Sequence, residues 1–170
     1  MDISSYVVKD IAPRIVLEET SPSACLIAGS TMIDRRAKDL LAIRLKGTRW
    51  DNDDDISTFE TRFCHTVKET FTSDQDRQYL TIGSAGEDHP ERGIKRGKLI
   101  LEGDEVAALF APSLDETQRA IEKQLHAVKA RHATTLVAMV GGLSESVYFR
   151  QELQQRLGQR VKLYKPDEAT

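Results

Sequence analysis

"VAMVGGLSESVYFRQEL", residues 137–153, joins an apolar run to an amphipathic one through two glycines. The run stops at Gly141–Gly142, and Val147, Phe149, Leu153 and Leu157 then repeat at helical spacing until Gly158 ends the pattern. A strand that stops at Gly-Gly before a helix sets backbone N–H groups at the carboxyl edge of a sheet. Open α/β sheets bind ligands there, and a helix N-terminus at that edge favours phosphate. Glycine also lets the backbone approach a ligand with no Cβ between them. On spacing alone, a tight turn with no ligand is an equally good reading, because the stretch is neither GxGxxG nor GxxxxGK[ST].

Upstream, "TTLVAMV" (134–140) is a continuous apolar run, which predicts a strand covered on both faces. Downstream, "RVKLYKP" predicts a last strand. At the other end of the chain, residues 3–9 and 14–18 read as two short strands, and Ser21–Ser23 reads as loop. A helix is predicted next, with Ser30 or Thr31 as N-cap and Asp34 in its first turn. Ile33, Ala37, Leu40, Leu41 and Leu45 form its buried side, and Gly47 is its stop. Ile56, Phe59, Phe63, Val67 and Phe71 are spaced to lie along one stripe of a single helix. "YLTI" and "KLILE" predict strands around a Gly/Pro-rich segment. A helical region from Asp104 is predicted to break at Pro112 and restart at a Ser113/Glu116 capping box, with Leu114, Ile121, Leu125 and Val128 buried as far as Arg131. The order predicts an α/β chain with an α+β insert. Residues 1–47 and 132–170 form its base, and 48–131 form the helical-plus-sheet insert.

Bulk properties exclude several function classes. With 39% hydrophobic residues the chain has the material for a core, and 30% charged residues leave it a solvated surface. A net charge of −3 with no Lys/Arg tract argues against a nucleic-acid surface. No apolar run approaches the roughly 18 residues of a membrane helix. The start, MDISSYVVKD, lacks the form of a signal peptide, so Cys25 and Cys64 are expected reduced and buried in a cytoplasmic protein. His65, His89, His126 and His132 lack metal-ligand spacing, and no Ser or Cys occupies a nucleophile elbow.

Taken together, "TTLVAMVGGLSESVYFRQELQQRL", "ISSYVV" with "AGSTMIDRRAKDLL", "FETRFCHTVKETF", "GKLILEGDEVAALFAPSLDETQRAIEKQL" and "YKPDEAT" cover nearly the whole chain. In that order they resemble the second lobe of the nucleotide-binding domain of the heat shock protein 70 (DnaK-like) family, most closely its divergent eukaryotic branch. That family lies within the actin-like ATPase, ribonuclease H-like superfamily. The resemblance implies ATP or ADP with Mg2+ as ligand. It implies that Gly141 and Gly142 approach the nucleotide through their backbone and that Ser144 to Ser146 line the base side. It also implies that Lys68 reaches the ribose, that Gly29 and Ser30 face the phosphates, and that Asp2 lies near the cation.

The chain departs from the family pattern at His65, in place of a glutamate that partners the ribose, and at Val147, in place of a proline. Glu69 and Glu145 stand where base-stacking arginines are usual, removing a cation–π contact. The resemblance is incomplete at both ends, because the two phosphate loops of the family would precede Asp2 and the second connecting helix would follow Thr170. The expectation is therefore a lobe that does not hydrolyse ATP alone, binds nucleotide weakly or not at all, and carries an exposed strand edge beside residues 3–9. The alternative is a non-catalytic domain derived from that lobe, whose partners are other proteins.

Overall fold

The computed structural model describes residues 1–128 and 135–166; expectations resting on Arg131, His132, Thr134 and residues 167–170 lie outside that range. Its elements run β1 (Asp2–Asp10), β2 (Val16–Cys25), α1 (Ser30–Leu45), α2 (Asp53–His65), α3 (Val67–Thr70) and β3 (Gln78–Thr81). A 3-10 turn at Pro90–Arg92 precedes β4 (Ile94–Lys95), β5 (Lys98–Leu101) and α4 (Gly103–Val128). Then follow β6 (Thr135–Ala138), α5 (Gly142–Glu145), α6 (Val147–Leu157) and β7 (Val161–Tyr164). Among the described residues, β1 and β2 form an antiparallel hairpin, β3–β5–β4 an antiparallel sheet and β6–β7 a parallel pair. The chain is thus of mixed α/β class, with helices and small sheets.

One core ties these pieces together. The predicted stripe Ile56, Phe59, Phe63, Val67 and Phe71 is buried throughout, against Ile33, Ala37 and Leu41 of α1 and Leu80, Leu99 and Leu101 of the three-stranded sheet. Burying each such side chain contributes about 1.5–3 kcal/mol, so the stripe decides where the helices sit. At its centre Phe71, Phe110 and Tyr148 meet, with ring centroids 4.6 to 5.8 Å apart.

Four local readings are corrected. The helix over the stripe is not single, because Thr66 separates α2 from α3. Its hydroxyl donates to the Arg62 carbonyl at 2.7 Å, a back-bond that bends helices, yet the stripe stays in register. Ser21–Ser23 is strand rather than loop. Serine hydroxyls pair across the hairpin, Ser5 with Ser21 at 3.0 Å and Ser4 with Ser23 at 2.8 Å, while Gln124 of α4 accepts from Ser5 and donates to the Pro22 carbonyl. Pro112 does not break α4, and Ser113, fully buried, does not start a new helix. The Arg36 guanidinium donates to the Leu109 carbonyl at 2.9 Å and to the Ser113 hydroxyl at 3.0 Å, one on each side of the proline. Burial of Phe110 and Leu114 offsets the roughly 3 kcal/mol that an internal proline costs.

The fourth correction concerns β6, which is covered on one face only. Val137 and Met139 pack on the core, but Leu136 is 63% exposed and Val140 is exposed as well. The cysteines also differ from expectation: Cys25 is exposed and Cys64 half-buried, both free. Finally, no described helix is long and apolar enough to cross a membrane.

Candidate nucleotide site

The start of α1 is built from Ala28–Gly29–Ser30. Ala28 is fully buried and anchors the chain, Gly29 is the extended N-cap, and Ser30 is the first helical residue. The predicted cap is therefore displaced by one position: Gly29 occupies it, and no side chain satisfies the first N–H groups of a 16-residue helix. One turn further on, Asp34 projects from the same side as Ser30.

Lys68, on the short α3, reaches this point from the other side. Its Nζ lies 2.5 Å from Asp34 Oδ1 and 3.0 Å from Ser30 Oγ, and both charged side chains are largely shielded, Lys68 at 15% and Asp34 at 18% exposure. The Cys64 thiol lies close enough to Asp34 to feel its carboxylate. Burial, followed by that carboxylate, pushes the thiol up to about 12, so it remains protonated and is no nucleophile at neutral pH.

The glycine turn closes onto the same place. Gly141 has φ +83 and ψ −177, a conformation open to little but glycine. Gly142 begins α5 directly against α1: a Cβ there would lie 3.3 Å from Ser30 Cβ and 3.5 Å from Ser30 Oγ. The two glycines thus have different physical reasons, backbone conformation at one and close approach at the other. Both remain exposed at the surface.

Ser144 lies differently from Gly142. It is 2% exposed, and its hydroxyl donates back to the Gly141 carbonyl at 2.7 Å, bracing the turn from inside. Arg150 donates to the Ser144 carbonyl, and Ser146 caps α6 by accepting from Phe149 N at 3.2 Å. At the rim, Lys165 pairs with Glu145 at 2.6 Å and holds its carboxyl below the usual range, while His65 lies 3.6 Å from Glu69. Asp2, exposed at the start of β1, faces Cys25 across the hairpin and raises its thiol through a hydrogen bond. Among the described residues no group of three His, Cys, Asp or Glu side chains forms a metal cluster, so Asp2 is a single carboxylate.

Of the residues singled out by sequence, Ser30, Lys68 and Gly142 are brought together, with Gly29 and Gly141 adjoining them. Asp34, expected near Ser30, was not foreseen as the partner of Lys68, nor Lys165 as the partner of Glu145; each pair lies far apart along the chain, and no local pattern signals the pairing. A separate groove of about 620 Å3 lies between β2 and α4, lined by Ser21, Pro22, Leu26, Arg119, Lys123 and Gln124, and it shares no residue with the glycine turn. Compared with known proteins, the chain matches no family model, no curated protein and no solved structure.

Proposed function

We propose that this chain is an adenine-nucleotide-binding lobe of the actin-like ATPase type, similar to that of the heat shock protein 70 (DnaK-like) family, with ATP or ADP and Mg2+ as its ligand. The observation that carries the reading is the meeting of Lys68, Ser30 and Gly142, residues from three distant segments that the resemblance independently assigns to one nucleotide. The chemistry suits that ligand. The start of α1, which no side chain caps, and the Lys68 ammonium attract phosphate or ribose oxygens, and the bare Gly141–Gly142 backbone allows a flat base to come close. In this reading Mg2+ would arrive together with the phosphates, and Asp2 would act on it only through water. The reading gives these residues a binding role and assigns none of them a catalytic one.

Isothermal titration with ADP and ATP, with and without Mg2+, tests this. Micromolar, magnesium-dependent heats would support the reading, weak heats accord with the phosphate loops that the resemblance lacks, and a flat titration up to millimolar nucleotide would refute it. The alternative, a protein-interaction domain built on the same lobe, draws on one specific observation. The β1–β2 hairpin leaves Tyr6, Val8, Ile11, Ile15 and Leu17 exposed, and clustered apolar surface of this kind suits a protein contact.

A further inference from the structure

We infer that Asp34 holds Lys68 in a closed ion pair that a bound nucleotide must displace, so that this one carboxylate sets the affinity of the site for anionic ligands. The inference rests on the nucleotide reading above. Lys68 Nζ spends two of its three donors on Asp34 and Ser30, and the Asp34 carboxylate cancels its charge. The position makes that cancellation useful. An ammonium beside the N-terminal end of a 16-residue helix sits in the positive field of the helix dipole, and Asp34, one turn inside, offsets it.

Asp34 thus occupies, from within the chain, the role that a phosphate oxygen would take. The pair is shielded from water on most of its surface, so it is screened less than a surface pair and does not open freely. An arriving diphosphate therefore meets a neutral cluster, and gains the Lys68 charge only by exchanging Asp34 for one of its own oxygens. Adenine, which carries neither ribose nor phosphate, has nothing to exchange and is indifferent to Asp34.

The test measures Kd for ADP and for adenine in the wild-type chain, in Asp34→Asn and in the double variant Asp34→Asn/Lys68→Met. Removing one shielded unit charge is expected to tighten ADP by about tenfold and to leave adenine within about twofold. The gain should vanish in the double variant. Wild-type ADP binding with no gain in Asp34→Asn overturns the inference and leaves the nucleotide reading standing, as does a gain that persists without Lys68. Absence of ADP binding in every chain overturns both. If Asp34→Asn loses its cooperative melt, Asp34→Ser provides the same comparison with a shorter neutral group.

Discussion

Replacing Gly142 with alanine separates close approach from backbone conformation. The new Cβ would lie 3.3 Å from Ser30 Cβ, a few tenths of an ångström inside an ordinary carbon–carbon contact. Ser30 is poorly placed to yield, because Ile33 and Ala37 fix the next turn of α1 in the core, and Leu143 and Ser144 hold α5 on the other side. The overlap should cost about 1–2 kcal/mol. Against it, alanine at a helical position gains about 1 kcal/mol over glycine. The two nearly cancel, leaving a net loss of at most about 1 kcal/mol and a Tm lowered by no more than roughly 4 °C.

Gly141→Ala presents the opposite case. Nothing lies within 4 Å of its Cβ position, but φ +83 must be held by a residue that resists it, at a cost of about 1–3 kcal/mol with no helical gain to offset it. Scanning calorimetry should therefore rank Gly141→Ala as the less stable variant. Titration with ADP should show Gly142→Ala weakened by about tenfold or more, since its Cβ narrows the approach beside Ser30. A Gly142→Ala protein that melts below Gly141→Ala, or that binds ADP as well as the wild type, would refute the account of why each glycine is there.

Two further outcomes follow from the core and from the thiols. Phe110→Ala removes a fully buried ring that touches both Phe71 and Tyr148, and should cost about 3–5 kcal/mol, read by circular dichroism as a Tm lowered by roughly 10 °C. Cys64 gives a pH dependence. The folded thiol, pushed from about 9 to about 12, keeps its proton where the unfolded thiol has lost it, so its contribution is complete below about pH 9 and fades as pH climbs towards 12. Tyr148, raised by burial, acts in the same direction. Urea midpoints should decline above pH 9, and less steeply in Cys64→Ser; an unchanged slope in that variant would remove Cys64 as a cause.

What the sequence by itself determined is local. The period of the apolar residues placed α1, and put Ile56 to Phe71 on one buried line, because burial at 3.6-residue spacing is written into neighbouring positions. The end of α6 at Gly158 was equally readable, since a glycine stop acts on its own turn. The tertiary structure decided what depends on distant partners. Arg36 and the packing of Phe110 carry α4 through Pro112, Gln124 turns a serine-rich run into strand, and β6 has one bare face because the core packs against Val137 and Met139 but not against Leu136. The same holds at the site. Gly141–Gly142 announces a turn from its own residues, but the pairing of Lys68 with Asp34 joins positions 34 residues apart, where only the fold of the chain sets the distance.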